Sequence, residues 1–240
     1  MIMEGTLVNA ITVIAGGLGG TLLRRRIPGE MQEALLQALG LATVVIGLKM
    51  ALEARNLLLV IFSLALGGVV GEALHIEEGL ERLGRWAEGR LGLEAPTGTF
   101  ARGFITASLL FCVGPMTILG AIQDGLGQTP VLLYTKSLLD GAASVALAAG
   151  LGLGVPFAAL TVLGYQGLLT VAAAAAKELL TDGMVNAMTA TGGALILGLG
   201  INLLQLRRIR VANLLPALVV ATVLAAATPT LGMLTRFLSP

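Results

Sequence analysis

Charge is what this chain has least of. Only 12% of its residues are Asp, Glu, Lys or Arg, against about 25% in soluble domains, and so few ionised groups cannot clothe a body in water. Aromatic residues are scarce too, at 4%. The one cysteine, Cys112, excludes an internal disulfide and a thiolate metal cage. The one histidine, His75, leaves no His-based metal site. No Ser or Cys has a second base at a sensible depth, so no catalytic residue, metal ligand or cofactor is assigned and an enzyme is not expected. There is no G-x-x-x-x-G-K-[ST] loop, so any active transport is ion-coupled or driven by a separate ATPase. A net charge of +1 provides no field to recruit nucleic acid.

What fills the space is apolar and small. Hydrophobic residues make up 56% of the chain, the mean hydropathy is +0.91, and there are 33 glycines. Small residues among Leu and Val suit helices that pack closely in lipid, where association depends on backbone approach. The expected class is all-α: a polytopic membrane helix bundle forming one domain over residues 1–240, with the lipid bilayer as its surroundings and a homo-oligomer compatible with it. A span takes about 20 apolar residues, which predicts about eight, near 5–23, 34–52, 56–74, 103–123, 131–153, 156–176, 184–205 and 212–230. Arg24, Arg25 and Arg26 follow the first stretch where a signal peptide needs its cleavage site, so a retained span is expected there.

Basic residues are retained on the cytoplasmic side. With the N-terminus outside, the inner loops hold ten arginines: Arg24, Arg25, Arg26, Arg82, Arg85, Arg90, Arg102, Arg207, Arg208 and Arg210. The outer segments hold Arg55, Lys177 and Arg236, while Lys49 and Lys136 fall inside spans. That bias predicts a bacterial inner-membrane protein with both termini outside. In the long connection 75–102, Ile76, Leu80, Leu83 and Ala87 recur at helical spacing with charges on the other faces and Trp86 at the border. This is an amphipathic helix on the cytoplasmic side, either along the membrane surface or capping the bundle. Val8-Asn9-Ala10-Ile11-Thr12 is echoed by Val185-Asn186-Ala187-Met188-Thr189, each followed by a Gly-Gly pair, which is either the trace of a parallel duplication or chance.

The chemistry-bearing stretch is Gly103 to Ser144. Gly114-Pro115 breaks the fourth span, and proline leaves a carbonyl near Phe111 without its helical partner. In hydrocarbon such a group needs a neighbour, water or ligand, and Thr117 and Ser108 flank the break with hydroxyls. Lys136 and Asp140 lie four apart on one helix face with Ser137 and Ser144 beside them. A lone charge at that depth costs at least about 2.5–3.5 kcal/mol, so it must face protein or water. Gln166 in the sixth span and Thr189, Thr191, Gly192 and Gly193 in the seventh complete a candidate lining. A satisfied proline kink and a structural Lys–Asp lock are the alternatives. Asn9 and Asn186, near the outer ends of their spans, are further candidates for that lining, and for each of these polar sets an interhelical hydrogen bond is the simpler reading.

FCVGPMTILGAIQDGL, KSLLDGAAS, VNAITVIAGGLGG and TATGGALILGLGINLLQLRRIRVANLLPAL together resemble the YqgA/YdfK-like family of bacterial inner-membrane proteins over essentially the whole chain. That resemblance implies a multi-pass protein and assigns no catalytic residue. The leading expectation is a transporter or channel for a small polar solute or ion, its path beside the broken fourth span and Asp140 its coupling group. The alternative is a non-transporting scaffold or subunit in which Lys136 and Asp140 are mutually paired and dry.

Overall fold

The computed structural model describes residues 3–24, 26–90, 99–173 and 180–238. Among the sequence features above, Arg25, Lys177 and residues 91–98 and 174–176 lie outside that set. The side chains of Leu83, Arg85, Ala87, Glu88, Pro115 and Arg236 lie outside it as well.

The described residues form ten helices with no strand among them. They are α1 (Glu4–Arg24), α2 (Gly29–Leu52), α3 (Leu57–Ala73), α4 (Ile76–Arg90) and α5 (Thr99–Cys112). Then come α6 (Pro115–Gly125), α7 (Val131–Leu151), α8 (Gly154–Val171), α9 (Asp182–Leu203) and α10 (Pro216–Leu238). Local chemistry sets their ends. The Asn56 side chain accepts from Leu59 N at 3.1 Å to start α3, and the Thr181 hydroxyl accepts from Met184 N at 3.3 Å to start α9. Gly152 closes α7 at φ +78°, a conformation that favours glycine.

Over their described residues the eight apolar segments expected from the sequence are helical, the fourth interrupted at 113–114. Five of the helices are long and apolar enough to cross a membrane, or up to seven if each bent pair counts as one span. Lengths alone therefore do not fix the count at eight. At about 1.5 Å per residue, the 17 residues of α3 reach only about 25 Å, short of the roughly 30 Å hydrocarbon slab. A bend of 51° then leads into Ile76–Arg82 of α4. The other bent pair is α5 and α6, turned by 65° at the expected break.

Glycines set which helices touch. On α1, a methyl at Gly16 would run into the Gly141 carbonyl of α7 and one at Gly20 into the Val145 carbonyl. Gly5 lies against Leu133, so residue numbers rise together and α1 runs parallel to α7. Gly40, Gly47, Gly193 and Gly200 bring α2 against α9 in the opposite sense, and Gly67 and Gly71 do the same for α3 against Ala217 and Asn213. α5 runs parallel to α8, with Gly154 against the Phe100 backbone and Ser108 Oγ 2.9 Å from Thr161 Oγ1. Side chains on the far faces of α2 and α3, such as Val45, Leu57 and Val69, are exposed and apolar, as a lipid-facing surface requires.

The amphipathic α4 is docked onto the bundle. Its Glu77 N–H donates to Asn213 Oδ1 at 2.7 Å, and Arg208 Nη2 lies 2.5 Å from Glu81 Oε1 and 3.7 Å from Glu77 Oε1. Glu72, at the end of α3, pairs with Arg210 and accepts from Asn213 Nδ2 at 2.6 Å. These contacts hold α4 against the bundle, with Trp86 exposed beneath the Arg90 guanidinium at 5.7 Å.

Candidate functional site

The break between α5 and α6 satisfies itself in part. Thr117 Oγ1 donates to the Phe111 carbonyl at 3.0 Å, the group that Pro115 leaves without an N–H partner. Ser108, the other flanking hydroxyl, turns instead to Thr161 of α8. Gly114 is extended, at φ 174° and ψ 154°, a conformation open to any residue, and a Cβ there meets nothing within 4 Å. Gly114→Ala is therefore expected to insert and melt like the wild type, so any loss of activity in it reads the site and not the fold. A fall in thermal midpoint of more than a few degrees would contradict this placement.

Lys136 and Asp140 form an ion pair on α7, and it is enclosed. Lys136 is 6% exposed and Asp140 8%. The pair belongs to a polar network that joins four helices, α1, α6, α7 and α8. Asn9 Nδ2 of α1 donates to Asp140 Oδ2 at 3.1 Å and to Gln166 Oε1 of α8 at 3.2 Å. Gln166 Nε2 donates back to Thr6 Oγ1 at 3.1 Å, and Thr6 Oγ1 lies 2.9 Å from Thr170 Oγ1. At the start of α1 the Thr6 N–H donates to Asp124 Oδ2 of α6 at 3.2 Å, so a carboxylate caps the first turn of α1. Gln166 reaches the network from a π-helical turn, Val162–Gln166, within α8. Such wider turns are frequently found at functional positions.

The remaining predicted residues divide. Ser137 Oγ bonds back to the Leu133 carbonyl at 2.7 Å and so is spent on its own helix. Ser144 packs against Gly16, and its hydroxyl has no partner among the described residues, like those of Thr189 and Thr191. Gly192 packs against Val113, immediately before the break, whereas Gly193 faces Met50 and Ala51 of α2. The two adjacent glycines thus serve different interfaces.

Two cavities lie along α5. One, of about 330 Å³, is apolar and sits against the break, lined by residues including Cys112, Gly114, Ile118, Tyr165 and Thr189. The other, of about 500 Å³, is the more polar of the two and lies toward the arginine-rich end, lined among others by Arg102, Thr106, Asn202 and Arg208. Ile105 lines both. Lys136 and Asp140 line neither; Phe111 stands beside Lys136, with the ammonium 6.0 Å from its ring centroid, and the next residue, Cys112, faces the apolar cavity. The last turn of α5 is thus the wall between the cavity and the ion pair.

Of the residues expected from the sequence, Gly114 and Thr189 line the apolar cavity, Thr117 closes the break, and Lys136, Asp140 and Gln166 join the polar network. Sequence reasoning offered Asn9 as a lining residue or, more simply, an interhelical hydrogen bond, and did not place Thr6, Thr170 or Arg102 in a site. Thr6 and Asn9 fall three apart, hence on one helix face, and that spacing was the available signal. The VNA-x-T echo does not carry a shared role. Asn9 is wholly buried in the network, whereas Asn186 is near the surface, donating to the Glu53 carbonyl at 2.9 Å and accepting from Arg55 N at 3.0 Å. Among the described residues no group of three or more His, Cys, Asp or Glu is placed to hold a metal ion.

Several long apolar helices enclosing a buried ion pair define a multi-pass membrane protein with a polar core. The chain belongs to the family described as protein of unknown function (DUF554), whose model matches residues 4–226. It is 32% identical over 226 residues to the uncharacterized membrane protein YdfK of Bacillus subtilis (strain 168), covering 92% of this chain and 95% of that one. It is 31% identical over 226 residues to the uncharacterized protein YqgA of Escherichia coli (strain K12), covering 93% and 96% respectively. No solved structure matches the chain.

Proposed function

We propose that this protein passes a small polar solute or ion across a bacterial inner membrane, with both termini outside and the path beside the α5–α6 break. The observation that carries this reading is the stacking of the two cavities. A polar one at the arginine-rich end adjoins an apolar one at the break, and Ile105 borders both. Non-helical backbone at membrane depth is tolerated where protein buries it or where it lines a cavity, and Gly114 lines this one. The coupling group is Asp140, one turn of helix away behind Phe111 and Cys112, and a shift of that turn would open the ion pair to the path.

The test is reconstitution into liposomes with a panel of ions and small solutes. Uptake by the wild type and its loss in Asp140→Asn, with that variant still inserted and folded, is the expected result. Normal uptake by Asp140→Asn removes this carboxylate from the path.

A second reading, a scaffold that moves nothing, is favoured by one observation: the Lys136–Asp140 pair is closed off. Cysteines placed at Ser137 and Ser144 in a Cys112→Ser background separate the two readings. Water-soluble thiol reagents label them during turnover if the protein transports. If it is a scaffold they stay unlabelled under every condition.

A further inference from the structure

The polar cavity holds an arginine whose charge no carboxylate among the described residues meets. Arg102, on the first turn of α5 and half-buried, donates from Nη2 to the Asn202 carbonyl at 2.7 Å, a neutral acceptor. It has no carboxylate partner among the described residues. The two carboxylates of the cavity, Glu77 and Glu81, are engaged by Arg208. Arg207 stands exposed and also lines the cavity. Among the described residues Arg208 thus takes both carboxylates, leaving Arg102 and Arg207 without one, and Arg102 is the more enclosed of these two. A guanidinium presents five N–H donors in a planar fork suited to a carboxylate, and one backbone carbonyl leaves most of that fork unmet.

What lies next to this fork limits what fits it. From Arg102 to Cys112 the helix rises about 15 Å, passing from the polar cavity, over Ile105, into the apolar one at the break. Of the surface lining that upper chamber nearly all is carbon, with Leu109, Ile118 and Leu218 among its walls. An inorganic anion or a sugar finds no use for it.

We propose that the two chambers together bind an organic acid, its carboxylate on Arg102 and its apolar body extending past Ile105 toward Gly114. This deepens the reading above by naming a solute class and rests on it for the location of the path. It does not need movement to be tested.

Isothermal titration of the full chain in discs of zwitterionic lipid, with empty discs subtracted, reads binding alone. The probes are straight-chain carboxylates from acetate to octanoate, the matching alcohols and inorganic phosphate. Affinity is expected to rise about fourfold per added methylene and to be absent for the alcohols. Arg102→Gln is expected to weaken every acid by roughly tenfold or more, and Arg102→Lys, which keeps the charge, to weaken them less. Ile105→Trp, which blocks the junction, is expected to leave acetate bound and to flatten the dependence on chain length. Equal affinity for all lengths and for phosphate overturns the proposal, as does wild-type binding by Arg102→Gln with an unchanged melting curve. Saturation of the site by phosphatidylglycerol discs, with no binding of free acids in neutral ones, assigns the pocket to a lipid and overturns it too. Acids that bind but are never taken up by liposomes sustain this inference and sink the transport reading, so the two fail separately.

Discussion

Asp140→Leu is expected to cost about 3–5 kcal/mol of stability, the usual penalty for removing one partner of a buried ion pair. The loss follows from what stays behind. Lys136 is 6% exposed, its ammonium is paired to Asp140, and the aromatic face of Phe111 is its other close neighbour. Without the carboxylate, a charged ammonium is stranded among carbon and amides. Lys136→Leu/Asp140→Leu together are expected to recover most of that loss, because a same-size apolar pair removes both desolvation penalties at once. Thermal unfolding of single and double variants in the same detergent measures this directly. A single variant as stable as the wild type would mean that Lys136 has a second acceptor within reach, and the buried Asn9 Oδ1, which has no partner among the described residues, is the one to examine. In a protein that transports, the double variant also decides what the pair is for. A folded protein that no longer transports assigns the pair to the path, and a folded protein that still transports assigns it to the framework.

The second large effect is at the seam between α1 and α7. Gly20→Leu is expected to yield little folded protein, since the new side chain would drive into the Val145 carbonyl and the Ala148 side chain. Overpacking in a core costs about 1–3 kcal/mol where neighbours can yield; a helix backbone cannot, so the expected loss exceeds that range. Separation of these helices also withdraws Asn9 from Asp140 and undoes the polar network. Gly19→Leu is the matched control: one residue away, exposed, with nothing within 4 Å of a Cβ, it should insert and melt as the wild type. Equal yields of the two variants would contradict the parallel pairing of α1 and α7.

Much of the architecture was legible in the residues. Long apolar runs with few charges gave the helices, and Gly114-Pro115 gave the break with the Phe111 carbonyl as the group in need of a partner. The site was legible only where its residues share a helix. Lys136 and Asp140 announce themselves by a four-residue spacing, but nothing in a linear chain says that Asn9 will meet Asp140, 131 positions later, or Gln166, 157 later. Those meetings depend on glycine contacts that set one helix against another, and a glycine in a sequence does not say which partner it admits. The enclosure of the ion pair was illegible for a related reason. Spacing placed two charges at mid-depth, while Phe111 and the neighbouring helices decide whether water reaches them. The ion pairs of Arg208 and Arg210 with the α3–α4 region were hidden in the same way, since counting charges for orientation does not pair them. Gly192 and Gly193 were grouped by adjacency in sequence, yet successive positions on a helix point about 100° apart, here toward Val113 and toward α2.

The parallel pairing of the first helix with the seventh has a consequence for biogenesis. Synthesis runs at about 5–20 residues per second, so α1 leaves the ribosome roughly 6 to 25 s before the segment that will hold it. During that interval Thr6 and Asn9 have none of their eventual side-chain partners, and an amide in hydrocarbon must find some acceptor or remain near the headgroups. Insertion of α1 is therefore a provisional event, completed only when the helices carrying Asp140 and Gln166 arrive and draw it into place.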